Sequence, residues 1–265
     1  MNARSHIHDV SLELSQVEEV VCSIFHTILF HRCSGKPMYK KEGSIALGSI
    51  GIEDVDCDFM ELTYVKVRSD ELCKAVQSQV TLFVSSLTGS GANGGEIALE
   101  FHQKRRGRWL FSETPIPWEV WKVRVHLLKL ANEIERQNNF VRLGEEVASI
   151  IQSIVVTVHK NEYVPKYPKE DVLDLTMNTS FSDIQPYHFR AHSSNGPSQF
   201  FVGWRSPVAT PLTQRSRGRS SEVLFGVGWG TGGIGGSLSG APPTAPGVCE
   251  ETRTRARVTA CLVAP

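Results

Sequence analysis

No two of the six cysteines stand at Cys-x-x-Cys spacing, which argues against a structural zinc knuckle and against a thioredoxin-type redox motif. Cys22, Cys33, Cys57, Cys73, Cys249 and Cys261 read as free thiols, mostly buried. The chain also lacks any apolar run of about 18 residues, the length a membrane-crossing helix needs. Met1–Asp9 alternates polar and charged residues without the apolar centre of a leader, so neither secretion nor membrane spanning is expected, and the cytosol or nucleus is the default compartment. Nor is there a charge excess. The 28 basic residues balance 28 acidic ones, so no overall field draws nucleic acid or an anionic membrane, and any charge-driven contact must come from a local patch. What is present is an ordinary globular composition, 40% hydrophobic over 265 residues, enough for one large domain or two small ones.

Val10, Leu12 and Leu14 alternate with Ser11 and Glu13, the period of a short strand with one face in a core. Val17, Val20, Val21, Ile24, Phe25, Ile28 and Leu29 then recur at helical spacing. Ser15 and Glu18 form a capping-box pattern before them, predicting a helix from about Gln16 to His31. Phe59–Val67 is rich in β-branched and aromatic residues and reads as a strand. Ser69 can cap a second helix, whose first turn holds Asp70 and Glu71 and whose apolar stripe runs from Leu72 to Leu87 before the glycine-rich Gly89–Gly95. Ile97, Leu99 and Phe101, and later Trp121, Val123, Val125 and Leu127, alternate as two strands expected to pair across the loop between them. From Ile134 to Val158 the helical period returns, ending near Asn161 ahead of Pro165.

This order predicts an α+β fold in which helices pack on a largely antiparallel sheet. The ordered body is expected to end near Tyr187. Beyond Ala191 serine, glycine, proline and arginine dominate, and Phe225–Gly240 holds eight glycines. Such a stretch buries too little apolar area to offset its ordering entropy, so most of residues 190–265 is expected to be disordered.

Few constellations invite chemistry. Gly230, Gly232 and Gly235 satisfy G-x-G-x-x-G, but Ala241, Pro242 and Pro243 follow where a dinucleotide site needs a helix. Glu53, Asp54, Asp56 and Asp58 could suggest an oxygen-ligated cation, yet they lack the glycine and distal glutamate of a calcium loop and read better as a solvated acidic turn. His6 and His8 are expected in a frayed terminus, and no thiolate or carboxylate stands at diagnostic metal spacing from them or from His26 and His31. Cys57 has acidic neighbours, the reverse of what activates a thiolate. The most informative segment is Lys104, Arg105, Arg106, Gly107, Arg108, Trp109, Leu110, Phe111, in which four basic residues lead two large aromatics through a loop between strands. Arginine and aromatic anchors are what interface hot spots use, although composition alone equally allows Trp109 and Phe111 to fold onto the core.

Gln16-Val-Glu-Glu19, His31-Arg32, Tyr39-Lys-Lys-Glu-Gly43, Asp54-Val-Asp-Cys-Asp-Phe59, Arg108-Trp-Leu-Phe111, Ile116-Pro-Trp-Glu-Val-Trp121, Glu162-Tyr-Val-Pro-Lys166 and Gln185-Pro-Tyr187 occur in that order. Together they resemble the autophagy-related protein 101 family over roughly residues 1–189. The resemblance implies a HORMA domain, three helices on a sheet, over residues 1–189, with 190–265 as a low-complexity tail. It implies a non-enzymatic adaptor without cofactor or metal. The expected partner is the HORMA domain of autophagy-related protein 13, with the Unc-51-like kinase and its scaffold completing the autophagy-initiating complex at the phagophore assembly site. Trp109 and Phe111 correspond to the family's exposed finger, which recruits downstream factors, and the long helix Ile134–Val158 is expected to contribute to the partner surface.

After Tyr187 the chain departs from the family pattern, which continues with sheet-completing strands. This departure predicts an open sheet edge and a less stable protein. The alternative reading, a HORMA adaptor of chromosome or checkpoint signalling that wraps a peptide with a C-terminal belt of strands, is disfavoured by the same tail composition.

Overall fold

The computed structural model describes residues 3–40, 44–106, 113–160 and 163–194. Four strands form the main sheet in the order β1 (Arg4–Leu12), β8 (Glu113–Leu127), β7 (Gly94–Arg106) and β10 (Phe189–Ser193). β7 and β8 form an antiparallel hairpin, β1 lies parallel to β8, and β10 lies antiparallel to β7. The alternation seen in the sequence is the division between two faces. Val10, Leu12, Ile97, Leu99, Phe101, Trp121, Val123 and Val125 are buried in one continuous core. On the other face Glu96 accepts hydrogen bonds from Lys122 (2.9 Å) and Arg124 (2.9 Å), and Arg190 pairs with Glu100 at 2.7 Å.

Three long helices cover the core: α1 (Val17–Phe30), α2 (Asp70–Ser90) and α3 (Glu133–Val158). α1 is the central one. Twelve of its 14 residues are buried, and it packs on α2, α3 and β6 (Thr63–Val67), which explains why its apolar stripe is nearly continuous around the helix. The Ser69 hydroxyl caps α2 by accepting from the Leu72 amide at 3.3 Å, and Gly91 ends that helix at φ +60°, a backbone state glycine adopts without strain. Asn132 caps α3 through the Glu135 amide at 2.8 Å, while Glu135 reaches back to the Ala131 amide at 2.9 Å. The α+β class and the three helices are therefore as the sequence predicted.

Smaller elements surround this frame: β2 (Cys33–Ser34), β3 (Pro37–Tyr39), β4 (Ile45–Leu47), β5 (Ile52–Asp56), α4 (Leu173–Thr176) and β9 (Gln185–Pro186). β2 pairs with β9, β3 with β4, and β5 with β6.

Four expectations require correction. The stretch before Asp9 is not frayed: Arg4–Asp9 lies in β1, because β8 supplies a backbone ladder and the His6 ring stacks on Trp121 at 4.2 Å between centroids. The first helix starts at Val17, close to the Gln16 expected, but its capping box is Glu13 with Gln16, two residues before Ser15 and Glu18. A 3-10 turn, Leu14–Gln16, takes up Ser15, and the Gln16 side chain accepts from the Glu13 amide at 3.0 Å. The strand expected from Phe59 starts only at Thr63, and Glu53–Asp56 is a strand rather than a turn. Finally, the β7 edge is not open. β10 covers it from Phe189, opposite Phe101, to Ser193, opposite Ile97, and pairing thus runs past Tyr187. That segment looks polar in sequence, but Phe189 and Ala191 are the alternate residues that pack against the core. The Gly/Ser/Pro/Arg-rich stretch from residue 195 onward, including Gly230, Gly232 and Gly235, lies outside the described residues.

Candidate functional site

The β7–β8 hairpin is longer than the sheet that holds it. β1 accompanies β8 only from Glu119, and β10 accompanies β7 only as far as Phe101. Beyond a register shift at Phe101/His102, residues His102–Arg106 and Glu113–Pro117 continue as a two-stranded arm. Prolines are tolerated where a strand's N–H side has no partner, and Pro115 and Pro117 both fall in the part of β8 that β1 leaves uncovered. α4 supports the arm from the β7 side. Gln103 donates to the Thr176 hydroxyl at 3.3 Å, the His102 amide donates to the His188 carbonyl at 3.0 Å, and Arg106 approaches Asp174 at 3.8 Å. Lys104 pairs with Glu113 across the hairpin at 3.2 Å, while Arg105 and Arg106 are exposed. The arm therefore presents positive charge toward its tip. Trp109 and Phe111 belong to that tip, residues 107–112, which lies outside the described residues.

At the root of the arm sits a buried ion pair. Glu119 is 0% and Arg32 3% exposed, and their forks meet at 2.8 Å (Nε to Oε2) and 2.9 Å (Nη2 to Oε1). A bidentate guanidinium–carboxylate pair is both directional and strong once desolvated. Tyr163 donates its hydroxyl to the same Glu119 Oε1 at 2.7 Å, Arg32 also donates to the Val158 carbonyl at 3.4 Å, and its guanidinium lies 5.8 Å from the Trp118 ring centre. Burial alone would lower the Arg32 pKa, but the hydrogen bonds and charge of Glu119 outweigh it and raise the pKa above the ordinary value. Burial, then the bond to Glu119, pushes the Tyr163 hydroxyl up to about 12. One carboxylate thus joins the arm to the ends of α1 and α3. Neither residue received a role from sequence reasoning. The available signal was Glu119 itself, a carboxylate between Trp118 and the apolar Val120 and Trp121.

The other candidates do not converge. Glu53 faces Lys66 at 3.9 Å, Asp56 accepts from the Thr63 hydroxyl at 2.5 Å, and the Asp58 amide donates to Glu19 at 2.8 Å. Among the described residues no group of three or more His, Cys, Asp or Glu is drawn together as a metal would require. Cys22 and Cys57 are buried free thiols, and Cys33 and Cys73 are half-buried ones. His26 and His31 are both held down to about 4, chiefly by burial. They are packing groups, neutral at pH 7, rather than a ligand set.

α3 offers a different kind of surface. Leu143, Val147, Ile151, Ile154 and Val158 face the core, whereas Val141, Glu145, Ser149, Gln152 and Val156 lie exposed along the opposite side. That outer side carries two exposed valines beside Glu145 and the exposed Arg142, a mixed apolar and polar surface of the kind protein contacts use.

The family model for Autophagy-related protein 101 matches residues 9–171. Autophagy-related protein 101 of Xenopus tropicalis is 46% identical over 191 residues, covering 72% of this chain and 88% of that protein. The Homo sapiens protein of the same name is 45% identical over the same span. The Arabidopsis thaliana protein is 25% identical over 125 residues, 46% of this chain and 52% of its own. With a HORMA-like α+β body and a family match over most of its length, the chain belongs to the autophagy-related protein 101 family.

Proposed function

We propose that this chain is a non-catalytic adaptor of the autophagy-initiation kinase complex. It pairs with the HORMA domain of autophagy-related protein 13 and stabilises it. It joins that partner to the Unc-51-like kinase and its scaffold, and recruits downstream factors at the phagophore assembly site through Trp109 and Phe111. Residues 1–189 supply most of the adaptor domain, β10 carries its sheet on to Ser193, and the remainder of residues 190–265 is the tail.

The observation that supports this reading best is the arm. A hairpin extended beyond its sheet, backed by α4 and braced at its root by Arg32 and Glu119, is a rigid mount, and such a mount reduces the entropy lost when aromatic anchors engage a partner. The outer face of α3 contributes the surface that meets the HORMA partner.

Co-expression with the HORMA domain of autophagy-related protein 13, followed by size-exclusion chromatography with mass determination, tests the pairing. A one-to-one complex is expected, retained in W109A/F111A and lost when Val141 and Val156 are both changed to Glu. No complex, with the Homo sapiens relative pairing under the same conditions, would overturn the reading.

A further inference from the structure

Away from the arm, the turn Leu14–Gln16, the loop between β5 and β6 and the first turns of α3 enclose a groove of about 430 Å³. Its lining includes Gln16, Phe59 and Phe140 together with the carboxylates Glu13, Asp58 and Glu133. Hydrogen bonds fix its walls. Gln16 donates to the Phe59 carbonyl at 2.9 Å, Asn139 donates to Gln16 at 2.9 Å, and the amides of Asp58 and Phe59 each donate to the Glu19 carboxylate at 2.8 Å. The backbone under Phe59 is thus held while its side chain stays 49% exposed, a combination that leaves an aromatic face in water. Leu14 and Ile134, exposed at 37% and 75%, are chain neighbours of lining residues.

The charge is one-sided. Arg136 is the single cation lining the groove and lies 3.6 Å from both Glu13 and Glu133, leaving the three carboxylates in excess. At the start of α3 the Glu135 amide donates to Asn132 and the Ala131 amide to Glu135.

We propose that this groove docks a short basic segment of a protein partner. An apolar residue sits against Phe59 and Phe140, and flanking arginines meet Asp58 and Glu133. Arginine suits the site better than lysine, because its planar fork can bind a carboxylate while lying over the Phe59 ring. The groove holds one large side chain with its neighbours rather than a whole helix face. None of the residues named on the α3 outer face lines it.

The test is fluorescence anisotropy of a labelled probe peptide, two arginines on either side of a leucine, titrated with the full chain. Phe59→Ser should weaken binding by about thirtyfold, the effect of losing a central anchor. Asp58→Asn with Glu133→Gln should weaken it about tenfold and flatten its salt dependence. A probe with glycine in place of leucine should bind about tenfold more weakly. Leu82→Ser, an exposed apolar position on α2, and W109A/F111A should leave binding unchanged. Because Asp58 and Glu133 are exposed, their double variant keeps the test valid should Phe59→Ser prove unstable. Absence of probe binding, equal binding by all variants, or sedimentation showing that Phe59 instead mediates self-association would each overturn the proposal.

Discussion

Arg32, at the end of α1, and Glu119, in β8, meet fork to fork with almost no solvent access, 87 residues apart in the chain. Removing one partner leaves the other charge buried. Arg32→Ala is therefore expected to destabilise the fold by roughly 3–5 kcal/mol, whereas the apolar double variant R32M/E119L should recover much of that loss. Urea unfolding followed by circular dichroism gives both numbers. Equal stability of single and double variants would contradict the coupling.

Acidification should weaken the fold through its buried rings. The His26 pKa is held near 4 in the folded protein, below the unfolded value of about 6.5, so the unfolded chain binds more protons between these values. Stability is present above the unfolded pKa and is lost as pH falls from about 6.5 toward about 4. At pH 5 His26 alone contributes a loss of about 2 kcal/mol, to which His31 and His102, also held near 4, add. Denaturation midpoints at pH 7 and pH 5 should differ for the unaltered chain, and Phe at position 26 should reduce that difference.

Gly144 marks the closest approach of α3 to the loop before β6. A Cβ placed there would lie 2.4 Å from the Glu61 carbonyl oxygen, a backbone atom that cannot rotate away. Gly144→Ala should cost about 1–3 kcal/mol despite alanine's better helix propensity. A thermal melt showing stabilisation would mean that α3 shifts freely.

β10 should contribute measurably to stability. Ending the chain after His188 removes Phe189, whose ring lies 6.4 Å from Phe101 and 6.3 Å from Phe181, and uncovers the β7 edge. A Tm lower by several degrees and greater aggregation on heating are expected. An unchanged Tm would show that the edge needs no cover.

The parts of the fold legible in the sequence were those whose cause is local. The stripe from Val17 to Leu29, the Ser69 cap and the alternation through Ile97–Phe101 and Trp121–Val125 are patterns that one face of one element imposes. The parts that escaped depend on distant partners. Arg4–Asp9 becomes a strand because β8 lies beside it, and Phe189–Ser193 because β7 has a free edge, which no count of neighbouring residues reveals. The arm was half legible. Its strands and basic approach were readable, but its projection depends on where β1 and β10 stop. The Arg32–Glu119 brace left only an isolated carboxylate among tryptophans as its trace.

Pro115 and Pro117 give the exposed flank of β8 a negative property. Neither has an amide hydrogen, so another chain laid along that flank meets two missing donors in alternate positions, and a continuous ladder cannot be extended there. Backbone pairing tolerates almost any sequence in the added strand, whereas contact through side chains does not. A molecule that grips this flank is therefore expected to rely on its own side chains, and scrambling its sequence at constant composition should weaken the grip.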